Sequence, residues 1–136
     1  MRRTCMALCL WVACAETGWC DEVAVTVASM PPVVVKTVPE SGSTDVDPAL
    51  TELRATFSKP MLTGNYSWVQ TGKETFPKTT GKPRFEADEK TCVLSVKLEP
   101  GKTYVIWLNQ GKFSSFMDKG GRRAVPYLLV FQTREK

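Results

Sequence analysis

The sequence contains no histidine. That absence removes the commonest general base, the Ser–His and Cys–His nucleophile pairs, and most zinc sites. No apolar stretch reaches the roughly 20 residues that a membrane-spanning helix requires, which excludes a polytopic membrane protein. Phosphate-loop and dinucleotide glycine fingerprints are also missing. What is present is ordinary for a globular chain: 43% hydrophobic and 24% charged residues rule out a disordered or collagen-like polymer. At 136 residues the chain is long enough to bury one sizeable core and too short for two domains of usual size.

The start of the chain has the three parts of an export signal. Met1-Arg2-Arg3 is basic, Thr4 to Ala13 is mostly apolar and uncharged, and Ala13-Cys14-Ala15 places small residues where a signal peptidase reads them. A signal peptide over residues 1–15 is therefore expected, with Val12-Ala13-Cys14 leaving lipidation at Cys14 as a minor alternative. Cleavage after Ala15 would leave sixteen basic residues against fourteen acidic ones, a net charge of +2. So small a charge on an exported chain argues against a nucleic-acid partner. Cleavage also leaves Cys20 and Cys92 as the last two cysteines, which either pair in an oxidising compartment or leave Cys92 as a buried free thiol.

Residues 16–32 read as a flexible linker that ends in Pro31-Pro32. From residue 33 to 136 the pattern is short strands divided by turns. Leu53, Ala55 and Phe57 alternate with Glu52, Arg54 and Thr56; Cys92, Leu94, Val96 and Leu98 alternate with Val93, Ser95 and Lys97. Tyr104, Ile106 and Leu108 alternate with Val105, Trp107 and Asn109, the period of a strand with one buried face. With Val33–Val38, Tyr66–Thr71, a weaker Lys82–Glu86 and Tyr127–Thr133, the count comes to seven strands and no helical stripe. This pattern predicts an all-β antiparallel sandwich. Within it, Pro100-Gly101-Lys102-Thr103-Tyr104 sets a tight turn before a strand, and Tyr104 is expected to fold its hydroxyl back onto that turn.

Val35-x-x-Val38-Pro39, Gly42-Ser43-Thr44-Asp45-Val46, Phe57-Ser58-Lys59-Pro60-Met61, Pro100-Gly101-x-x-Tyr104, Asp118 with Gly121, and Phe131-x-Thr133 follow in an order that resembles the bacterial Ig-like domain of the S-layer (SbsA) type. The resemblance spans about Pro32 to Thr133. It implies a non-catalytic, Ig-like (fibronectin III-like) antiparallel sandwich found in exported, envelope-associated proteins, with Phe57, Pro60, Pro100, Gly101 and Tyr104 as structural positions. Arg122 stands where an asparagine often follows Gly121, so no special role is expected of the Asp118 turn.

For binding, the connection from Gly111 to Pro126 is the first place to look, because it interleaves Phe113 and Phe116 with Lys112, Lys119, Arg122 and Arg123. Trp107, of opposite parity to the inward residues of its strand, joins Phe113, Phe116 and Arg122 as a candidate contact for a protein or an envelope polymer, self-association included. A ligand platform for carbohydrate, or a calcium site built on Asp45 and Asp47 with Glu40 or Asp118, is the alternative; solvated turn carboxylates and core-filling aromatics are the simpler readings. Asp45 is expected to brace its own loop. Glu52 and Asp88-Glu89 show no partner at a readable spacing, and Ser58 and Lys59 are adjacent and so point to opposite faces. No catalytic residue, cofactor or metal is expected.

Overall fold

A computed structural model describes residues 24–136. The expected signal peptide, with Cys14, and residues 16–23 of the expected linker, with Cys20, lie outside the described residues. Eight strands follow in order: β1 (Val34–Val38), β2 (Glu52–Phe57), β3 (Trp68–Gln70), β4 (Lys78–Thr79), β5 (Arg84–Phe85), β6 (Thr91–Lys97), β7 (Thr103–Leu108) and β8 (Tyr127–Gln132). One sheet runs β1-β2-β6, with β4 and β5 both paired to the far edge of β6; the other runs β3-β7-β8. All pairings between these strands are antiparallel. This is the sandwich expected from the alternation, with one correction: the weak Lys82–Glu86 segment is the second half of a strand broken in two at Gly81-Lys82-Pro83. Proline has no N–H to give to a ladder, so the strand cannot run through Pro83 unbroken.

The alternation puts Leu53, Ala55 and Phe57 of β2, Cys92, Leu94 and Val96 of β6, Tyr104, Ile106 and Leu108 of β7 and Leu129 and Phe131 of β8 in one core. On the outer face, Arg54, Val93 and Arg84 stand side by side across β2, β6 and β5. Val93 is nevertheless fully buried, flanked on both sides by an arginine, whose long apolar stem can cover a neighbour while its head stays in water. Their heads are held in a chain of alternating charge: Arg84 to Glu52 at 3.0 Å, Glu52 to Arg54 at 3.0 Å, and Arg54 to Glu86 at 2.9 Å. Arg84 foremost, with Arg54, holds the Glu52 carboxyl below its ordinary value. Glu52 thus has partners that sequence order did not show.

After β1 the chain changes sheets. Ser41 accepts from Val130 N–H at 3.1 Å, Gly42 donates to Val130 O, Gln132 donates to Ser43 O, and Val46 pairs in parallel with Thr133. The edge of β8 is thereby covered, which leaves β1, β3 and the broken β4–β5 strand as the edges of the two sheets.

At the foot of β7 the Tyr104 hydroxyl accepts from Glu99 N–H at 2.8 Å, while its ring is buried against Phe131. Thr133 Oγ1 donates to Glu99 O at 2.6 Å and accepts from Lys102 N–H at 2.9 Å, so the last strand is laced to the same turn. Gly101, at φ 65°, and the exposed Pro100 form that turn. Tyr104→Phe should cost about 1 kcal/mol, one part-buried hydrogen bond, measured as a lower urea midpoint at unchanged slope.

Cys92 is a fully buried free thiol. Burial pushes its pKa up from 9.0 to about 12, against a smaller opposing effect from the Trp68 indole, whose Nε1–H has no nitrogen or oxygen partner. The native protein should therefore leave Cys92 unmodified by a thiol reagent at pH 8, with reaction appearing only on denaturation. Because the unfolded thiol ionises first, stability should fall as pH rises above about 9.

Candidate functional site

The four sequence candidates for binding do not meet. Phe116, expected at a surface, is a correction: it is fully buried, 5.1 Å from Phe57 and edge-on to Trp68 and Phe85 at 6.1 and 6.3 Å. Trp107 lies on the outer face of β7 between Val69 of β3 and Leu128 of β8, a short apolar row. Phe113 is 56% exposed beneath Lys112 and lines a shallow cleft with Tyr66 and Trp68. Arg122 belongs to a third place, at the end of the sandwich where the chain enters.

The connection carrying Phe113 to Arg122 is held by a residue that sequence reasoning missed. Asn109 is fully buried, and its side chain closes three bonds: Nδ2 donates to Phe116 O at 2.9 Å and Ala124 O at 3.1 Å, and Oδ1 accepts from Phe116 N–H at 3.0 Å. By alternation Asn109 should point outward. Its φ of 62° is left-handed, which breaks the alternation and turns the amide inward; asparagine tolerates this region better than most residues.

At the entry end, Lys59 and Asp118 form an ion pair at 2.7 Å, their side chains 13% and 2% exposed. Asp118 Oδ1 also accepts from Gly120 N–H at 2.9 Å and Arg122 N–H at 2.8 Å, and Gly121 turns the chain at φ 82°. The same Lys59 ammonium donates to Ala28 O at 2.7 Å and Met30 O at 3.2 Å, and the Arg122 guanidinium donates to Ala28 O at 3.2 Å. Two further bonds, Val33 N–H to Ser58 Oγ at 3.0 Å and Val125 N–H to Pro32 O at 3.0 Å, continue the attachment. Residues 28–33 are thus fastened to the sandwich rather than hanging from it. The Asp118 turn, of which nothing special was expected, is the anchor. Burial raises the Asp118 pKa, but the Lys59 ammonium and the N–H groups of Arg122 and Gly120 outweigh it and hold the carboxyl below its ordinary value.

A cleft of about 550 Å³ opens beside this clamp, between Lys59, Pro60, Glu89, Lys119 and Arg122. Lys119 reaches Glu89 across its mouth. Chemically the arrangement holds backbone; it offers no unpaired nucleophile or base. Ser58 and Lys59 have the structural partners just given, and Asp88 caps its own turn by accepting from Lys90 and Thr91 N–H at 2.9 and 3.0 Å. The calcium candidates resolve similarly. Asp47, rather than Asp45, braces the loop, accepting from Ala49 N–H at 2.9 Å and pairing with Arg134 at 3.1 Å. Among the described residues no three acidic or cysteine side chains converge as metal ligands.

The bacterial Ig-like domain family matches residues 28–133, a span that begins at the clamped Ala28 and ends at the laced Thr133. This chain belongs to that family. Two solved structures of the S-layer protein SbsC are similar to it. One, rSbsC(31-844), is 21% identical over 80% of this chain, with a TM-score of 0.49; the other, domains 1-6, is 22% identical over 80%, with a TM-score of 0.50. In each case the match spans 14% of the S-layer chain. No curated protein matches. Two of the landmark segments form the clamp: Phe57-Ser58-Lys59-Pro60-Met61 supplies the lysine, and Asp118 with Gly121 supplies the anchor turn.

Proposed function

We propose that this bacterial Ig-like domain is a non-catalytic module of an exported, envelope-associated protein, working by fixed geometry and surface contact with protein or polymer. The observation that carries this reading is the clamp. The buried Asp118 carboxylate, itself held by two backbone N–H groups, acts through Lys59 on the backbone of the entering chain at Ala28 and Met30. The chain enters beside Phe57 and Thr91, at one end, and leaves beyond Gln132 and Thr103, at the other. Its exit is fastened too, by Gly101 N–H on Arg134 O and Arg134 N–H on Val46 O. A sandwich held at both ends transmits orientation along a chain, which suits a unit in a series of modules. Similarity to S-layer structures supports the fold of such a unit, and the N-terminal pattern supports export. Trp107 and Phe113 are the side chains this reading offers to a neighbour.

Fractionation of cells expressing the full chain, with intact-mass measurement, checks the assignment. Recovery outside the cytoplasm with a mass short of residues 1–15 is the expected result. Accumulation of the uncleaved chain in the cytoplasm would overturn it.

A further inference from the structure

The end of the sandwich opposite the clamp holds a groove of about 500 Å³ between the β3–β4 connection and the β6–β7 turn. Lys73, Lys78, Lys97 and Lys102 line it, with Glu99 as the single acid. Glu99 pairs with Lys102 at 3.1 Å, and the Lys102 ammonium lies 5.6 Å from the centre of the Tyr104 ring. Among the described residues, Lys102 alone of the four has an ion-pair partner. Lys78 and Lys97 are also direct cross-strand partners on the β4–β6 ladder. Like charges facing each other across a ladder destabilise it. A few residues away on the same sheet, Arg84, Glu52, Arg54 and Glu86 alternate in sign and neutralise one another. One half of the face therefore balances its charge within the chain, while the other gathers positive charge around a cavity.

We propose that this groove binds an anionic polysaccharide, a glycan bearing carboxylate or phosphate groups that would take the place of the missing counter-charge. The half-buried Phe76, beside Pro77, gives the floor a flat apolar surface against which a sugar ring can lie. An acidic peptide is the poorer fit. Strand addition needs a run of free backbone groups, and β4 offers two residues, one of them a lysine. This site stands on observations separate from the clamp, so neither reading depends on the other.

The test is titration of the full chain with polygalacturonate, a carboxylate glycan, at low and at raised salt. Saturable binding that weakens with salt is expected. The double variant K78E/K97E should weaken it by about tenfold or more, as loss of facing charges does at a charged interface. Lys73→Glu, on the connection and outside the ladder, should weaken it in the same direction and keeps the test sound should the double variant fail to fold. K36E/K90E changes net charge equally at exposed positions away from the groove and should leave affinity within about twofold, as distant charges are screened. Absence of saturable binding, or equal losses in both double variants, overturns the proposal. Polyglutamate binding as tightly as polygalacturonate overturns the assignment to a glycan.

Discussion

Asn109→Ala is expected to be among the most damaging single changes in this domain. It deletes three side-chain bonds and leaves two buried groups, Phe116 N–H and Ala124 O, without a partner, while Phe116 O keeps the Ala124 N–H at 2.9 Å. Each orphaned buried group costs about 1–3 kcal/mol, so a loss of about 3–5 kcal/mol is expected, a large part of the stability of a small domain. Alanine is also strained at φ 62°, where asparagine is tolerated. Asn109→Gly relieves that strain while still lacking the amide, and so should recover only the backbone part. Asn109→Asp keeps an acceptor for Phe116 N–H but turns a carboxylate on two carbonyls, and should be no better than alanine. Equilibrium urea unfolding reads all three as shifts in midpoint at constant slope. A loss below about 1 kcal/mol for Asn109→Ala would mean that water replaces the amide at no great cost.

The second large effect belongs to Asp118. Asp118→Ala removes the partner of Lys59 and the acceptor of two N–H groups. Breaking a buried pair from one side costs about 3–5 kcal/mol, and the lower end applies here because Lys59, 13% exposed, recovers some hydration. The pH dependence has a definite sign. The folded-state pKa of Asp118 lies below its ordinary 3.8, so its contribution is fully present above that value and is lost as pH falls through the folded value. Asp118→Asn, which cannot titrate, should thus be less stable than the wild type at pH 7. The difference should narrow below about pH 4. Asp88, held low by the N–H groups of Lys90 and Thr91, adds to the same acid limb in both proteins and cancels in the comparison.

The fold was legible because period-two alternation carries through β2, β6 and β7, and because the Pro-Gly turn before Tyr104 is local chemistry. The side chains that organise the ends of the sandwich were not legible. Asn109 breaks the alternation by its left-handed backbone, so parity assigned it to the wrong face. Phe116 sits in a connection with no period at all; its burial follows from where Asn109 pins that connection. Asp118 and Lys59 are 59 residues apart in sequence, and no spacing rule brings them together. The broken β4–β5 strand offered two residues on either side of an interruption, too few for a periodic signal. Val93 looked like an outward apolar residue, and only the register with Arg54 and Arg84 shows why it is dry. Trp107 was placed correctly by parity alone, since β7 is regular along its whole length.

The claim that Asp118 and Lys59 fix the direction of the entering chain is tested most directly by the distance distribution between spin labels at positions 25 and 70. Both positions are exposed, and the labels would be attached in a background where Cys5, Cys9, Cys14 and Cys20 are serine and Cys92 is left buried. A narrow distribution in the otherwise native chain, broadening in Asp118→Asn under conditions where that variant remains folded, is the predicted result. A distribution already broad in the native chain, or one left unchanged by Asp118→Asn, would contradict it.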